Sequence, residues 1–129
     1  MNLEKVVFGF FILLALTLNF GFFLGDIDDP AHHNVYELYA ALVVSLIATV
    51  MKFGERTQIG AILLAASLVA DLQLIAAAVL WGVTVHGLGL DLALNPGIMA
   101  SIVSLSGGAL LANVASVVIL IVETVSLHR

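Results

Sequence analysis

The 129-residue chain has no cysteine, two prolines, one tryptophan and only four Lys and Arg together. Without cysteine there are no disulfides, no thiolate metal sites and no dithiol redox chemistry. Nine acidic residues outweigh the basic ones to give a net charge of −5, which excludes a nucleic-acid binder built on basic patches. Charge of either sign is scarce at 10% of residues, against about 25% in soluble domains. What fills the chain is apolar: 62% of residues are hydrophobic and the mean hydropathy is +1.19. A soluble domain this small has too little interior to hide so much apolar surface. The composition is that of a membrane protein.

The start of the chain also lacks a cleavage site. Lys5 precedes an apolar run, but the run is too long for a signal-peptide core and no small-x-small site follows, so a retained helix is expected. Four apolar segments can be read in all, at 6–24, 35–53, 58–85 and 97–127, within one domain covering 1–129. A spanning helix needs about 20 residues, and each segment is close to that or longer. Spanning segments must satisfy their own backbone, so the expected fold is an all-α membrane protein, an antiparallel bundle of four transmembrane helices.

The breaks support these boundaries. Asn34 suits an N-cap and Glu37 three residues on completes a capping-box pattern. The short break Gly54-Glu55-Arg56-Thr57 makes helices two and three neighbours. Lys5, Lys52, Arg56 and Arg129 all fall on one side of the four-span arrangement, which places both termini in the cytoplasm. Tyr36, Tyr39 and Trp81 then fall near the outer interface, where amphipathic aromatics belong. This pattern fits a bacterial inner (plasma) membrane.

One residue breaks the apolar rule at the centre of a span. Asp71 lies near the middle of helix three, and a charge there costs about 2.5–3.5 kcal/mol on insertion scales. Protonation, hydrogen bonds from another helix, or contact with water or an ion would each lower that cost. Ser67, four residues earlier, shares its face. Asn113 in helix four has a similar depth and is the expected hydrogen-bond partner. Helix four carries a stripe of Ser106, Asn113, Ser116 and Glu123, with Ala109 and Leu120 between them. Such a stripe can line a pore. The commoner meaning of small residues at this spacing is close helix packing, which Ser101, Leu105, Gly108, Ala112 and Ser116 also fit. Ser106-Gly107-Gly108 allows residues 97–108 to form a re-entrant pore loop, but one continuous helix is expected.

The predicted outer surface gathers Asp26, Asp28, Asp29, His32, His33, His86 and Asp91. A solvated loop is the first reading. An acidic mouth of Asp26, Asp28 and Asp29 that concentrates cations is the second. His32, His33 and His86 are weak metal-ligand candidates without a ligand motif, so no metal site is expected. No histidine lies mid-span to hold haem, and no cofactor is expected. Asn19 reads as an interhelical hydrogen-bond donor. No Ser/His/Asp order, phosphate loop or zinc-protease motif is present, which argues against an enzyme.

The functional expectation is a homo-oligomeric cation channel or ion-permeation unit. One small bundle encloses no pore, so a conducting form needs several copies. Its partners would be the lipid bilayer, further copies of the chain, and a monovalent or divalent cation. A non-transporting accessory or scaffold subunit of a larger membrane complex is the alternative. A small proton-coupled transporter is the third reading. Small multidrug exporters share the four-helix size, but their essential acid sits in helix one, where this chain has only Glu4 at the start.

Overall fold

The computed structural model describes residues 3–54 and 57–127. The chain is 87% helical, with no strand among the described residues. Four long helices carry it: α1 (Leu3–Phe23), α2 (Val35–Lys52), α3 (Gln58–Gly82) and α4 (Pro96–Leu127). All four are long and apolar enough to cross a membrane, and the protein is an integral membrane protein. Short 3-10 turns at Pro30–His32 and Leu92–Leu94 sit in the longer connections. The end of α3 loosens into a π-turn at Val83–Gly87, so the regular helix stops before residue 85.

The caps are local and readable. Asn34 accepts a hydrogen bond from the Tyr36 N–H at 2.9 Å, and Thr57 accepts one from the Gly60 N–H at 2.9 Å. Pro96 opens α4, where a missing N–H leaves no bond unmade. Glu37 departs from the capping-box expectation. Its carboxyl packs on Gly21 of α1, where a Cβ would lie 1.9 Å from Oε2.

α4 is one continuous helix of 32 residues, about 48 Å long against a core of about 30 Å. It runs straight through Ser106-Gly107-Gly108, so the glycines do not turn the chain. They leave room for neighbours. A Cβ on Gly107 would meet the Phe23 ring at 2.8 Å, and one on Gly108 would meet the Gln73 amide at 2.3 Å.

α1 packs on α2 and α4, and α3 packs on the same two helices. Two apolar clusters form the core. One, at the end of the bundle bearing loops 25–34 and 83–95, gathers Phe22, Leu38, Leu74, Met99 and Ile102. Trp81 meets the Phe22 ring edge-on at 6.2 Å there. The other, at the end bearing residues 3–5 and 53–57, gathers Phe8, Ile12, Ala48 and Leu63. These are called below the loop end and the terminal end. Lys52 reaches over the Phe8 ring at 4.3 Å, so Lys52 and Lys5 share the terminal end. Arg56 and Arg129 lie outside the described residues.

Between the clusters the buried core turns polar, while the surface is apolar. Leu72, Leu111, Val79 and Val118 are exposed, and Asn19, Ser45, Ser67, Ser106, Asn113 and Ser116 are fully buried. That inversion suits a lipid solvent, where the hydrophobic effect drives nothing inward and polar groups seek each other.

Candidate functional site

The polar belt is centred on Asp71, one residue past the midpoint of α3 and 4% exposed. α2 supplies its hydrogen bonds. Ser45 and Thr49 are four residues apart and share a helix face. Ser45 Oγ donates to Asp71 Oδ1 at 2.6 Å, and Thr49 Oγ1 is hydrogen-bonded to Asp71 Oδ2. Thr49 Oγ1 also lies 2.9 Å from the Ser45 carbonyl oxygen.

The expected bond from Asp71 to Asn113 is absent. Asn113 is fully buried in α4, and neither its Nδ2 nor its Oδ1 has a hydrogen-bond partner. Ser67 Oγ, fully buried one turn from Asp71, has none either. Among the described residues, Gln73 Oε1, beside Gly108, is the remaining unpartnered buried side-chain atom. Sequence reading missed Ser45 and Thr49. Their signal was a pair of hydroxyls at helical spacing in an otherwise apolar run, on the helix that the tight turn sets beside α3.

The α4 stripe divides. Ser106 Oγ donates to Asn19 Oδ1 at 2.5 Å, and Asn19 Nδ2 returns a bond to the Ser106 carbonyl at 3.0 Å. That reciprocal pair ties α1 to α4, as expected for Asn19. Ser116 Oγ donates to the Ala112 carbonyl of its own helix at 3.2 Å. Glu123 pairs with Lys5 at 2.5 Å, joining α4 to α1 at the terminal end. Ser106, Asn113 and Ser116 all face the interior of the protomer, as do Ser67 and Asp71. None of these five is presented on the outside of the bundle, where copies of the chain would meet.

The loop end holds the other polar group. Ligand atoms of Asp26, Asp29 and His32 lie within 4.8 Å of one another. His32 Nδ1 accepts the Asp26 N–H at 2.8 Å, and its Nε2 lies 3.5 Å from Asp29 Oδ2. Asp29 Oδ1 accepts the Ala31 N–H at 3.0 Å. His33 is buried, its ring nitrogens 2.5 Å from the Phe22 carbonyl and 2.6 Å from the Asp26 carbonyl. The ring thus ties two backbone carbonyls together. The Phe22 carbonyl ends α1, where carbonyls lack an intrahelical partner. Asp91 caps its own 3-10 turn through the Ala93 N–H at 2.9 Å. Asp28 and His86 are exposed and stand apart from the group. The structure therefore brings Asp26 and Asp29 together with His32, and uses them to hold the loop.

A model of a family of unknown function, DUF6394, matches residues 32–124. The chain belongs to the DUF6394 family. No curated protein and no solved structure matches it. The DUF6394 match takes in α2, α3 and most of α4, and with them Ser45, Thr49, Ser67, Asp71 and Asn113.

Proposed function

We propose that the protein is a small cation-transport unit that takes a proton or small cation to Asp71 inside each protomer. The observation that carries this reading is a buried carboxyl held by two hydroxyls beside buried polar atoms with unused hydrogen-bonding capacity. An acid in the middle of a span is costly and marks ion or proton handling by default. The site here differs from an oligomer-axis pore, because Asp71, Ser67, Ser106, Asn113 and Ser116 all turn into the protomer. A homo-oligomer would assemble through the apolar exterior, with one pathway per copy. The helices read as an antiparallel bundle in a bacterial inner membrane. The terminal end, with Lys5 and Lys52, faces the cytoplasm by the positive-inside rule. Asp26, Asp28 and Asp29 then face out.

Purified protein in liposomes tests the reading by cation flux, with Asp71→Asn beside the original. Flux that falls to the level of protein-free liposomes in Asp71→Asn supports it. Unchanged flux in the variant removes Asp71 from the mechanism. A stable monomer without flux at any pH would favour the accessory or scaffold role.

A further inference from the structure

We infer that the cargo of this site is the proton, and that Ser67 and Asn113 hold water beside Asp71 as the next step of its path. This rests on the reading of Asp71 as an ion site.

The hydrogens around Asp71 can be counted. Thr49 Oγ1 has one proton and two acceptors in reach, Asp71 Oδ2 and the Ser45 carbonyl at 2.9 Å. When Asp71 is a carboxylate, Ser45 Oγ donates to Oδ1 and Thr49 Oγ1 donates to Oδ2, so both anionic oxygens are served. When Asp71 is protonated on Oδ2, that new O–H donates to Thr49 Oγ1. The Thr49 proton then turns to the Ser45 carbonyl, and Ser45 Oγ still donates to Oδ1. Both states are fully hydrogen-bonded. One proton interconverts them, cancelling one negative charge, and the only motion is rotation of a hydroxyl hydrogen. A carboxyl built this way can load and unload a proton without moving a heavy atom.

A metal ion finds the opposite. Hard cations take about six oxygen ligands through their lone pairs. Here the oxygens that the described residues set against the carboxylate are the two hydroxyls of Ser45 and Thr49, which with the carboxylate itself fall short of such a shell. The nearest charge along α2 is Lys52, three residues past Thr49 on the same helix face. Among the described residues, α2 brings Ser45 and Thr49 to Asp71, and neither titrates. Buried Lys52 and the Lys5–Glu123 pair lie toward the terminal end, and Glu37 lies toward the loop end.

The second step is set by register. Gln73 meets Gly108, and toward the terminal end both Leu63 of α3 and Leu120 of α4 join one cluster. From that contact Ser67 is six residues along α3 and Asn113 five along α4, which are advances of about 9 and 7.5 Å. The two residues therefore stand at nearly one level, about one turn from Asp71. Both are fully buried, and Ser67 Oγ, Asn113 Nδ2 and Asn113 Oδ1 all lack partners. Buried polar atoms are nearly always bonded to protein or water. Water, with two donors and two acceptors, answers an amide and a hydroxyl at once.

The test reconstitutes the full chain in liposomes containing a pH-sensitive dye, under a potassium–valinomycin potential. External Na+ is replaced by a large organic cation, and tracer Na+ uptake is measured in parallel. The expected result is acidification that needs no Na+, is abolished by Asp71→Asn, is slowed several-fold by Thr49→Val and is kept by Thr49→Ser. Ser67→Ala with Asn113→Leu should slow it as well. Asp71-dependent uptake of tracer Na+ without acidification would overturn the proton as cargo while leaving Asp71 as an ion site. If neither acidification nor Na+ uptake depends on Asp71, both readings fall. Infrared difference spectra across a pH step give a readout that does not depend on flux. A carboxyl C=O band that responds to pH and is absent in Asp71→Asn supports the inference, and no such band overturns it.

Discussion

The described residues form one polar cluster at the loop end and another in the bundle core, and they differ in what their hydrogen-bonding groups are doing. At the loop end Asp26, Asp29, His32 and His33 are numerous and all but His33 at least partly exposed, yet nearly all of their geometry serves the backbone. In the core Ser67 and Asn113 are few, neutral and fully buried, and they have capacity left over. On the proposed reading, density of titratable residues therefore points away from the site. Unused capacity in a dry interior is the better guide, since a native fold seldom leaves it without a reason.

Substitutions can break that contrast. The largest expected effect is on transport: Asp71→Asn keeps an acceptor for Ser45 but loses the exchangeable proton, so flux in liposomes should fall to background while the protein stays monodisperse. The next is structural. Gly25 has φ +101°, and a Cβ there would lie 2.5 Å from the His32 Cβ. Gly25→Ala should cost about 1–3 kcal/mol, read as a lower melting temperature in detergent, with flux per folded molecule retained.

A matched pair then tests the contrast directly. His33→Leu removes two bonds to carbonyls and should destabilise by about 2 kcal/mol. Asn113→Leu removes only unpartnered atoms and should be neutral or stabilise by about 1 kcal/mol while slowing flux. If thermal melts show both variants equally destabilised, the two clusters are alike and the distinction fails. The smallest effect belongs to Asp28, exposed and outside the clasp. Asp28→Asn should change flux within about twofold, and the change should disappear in high salt.

Much of the fold could be read from the sequence, because run length and breaks in hydropathy are single-chain properties. The four spans, the Asn34 cap and the central position of Asp71 are of that kind. The partners of Asp71 were not legible. A serine and a threonine inside an apolar helix look the same whether they bond their own carbonyls or reach across to an acid. The α4 stripe was ambiguous for a related reason: small and polar residues serve a pore wall and a helix contact equally well, and only burial separates the two. Gly107-Gly108 read as a chain breaker or as a close approach, and the Phe23 ring and Gln73 amide decide for the second. The π-turn at Val83–Gly87 left no mark in the apolar pattern.

The bond between Asp71 and the hydroxyls of Ser45 and Thr49 also bears on how the chain enters a membrane. A lone helix with a central acid partitions poorly, by about 2.5–3.5 kcal/mol. The groups that relieve this penalty sit on the helix made immediately before, joined by a connection of only a few residues. In an antiparallel bundle α3 would therefore meet its acid's partners as it emerges, and α2 and α3 would enter the bilayer together as a hairpin. The same two hydroxyls that serve the site would then act during biogenesis, lowering the barrier to insertion for the span that carries the central acid.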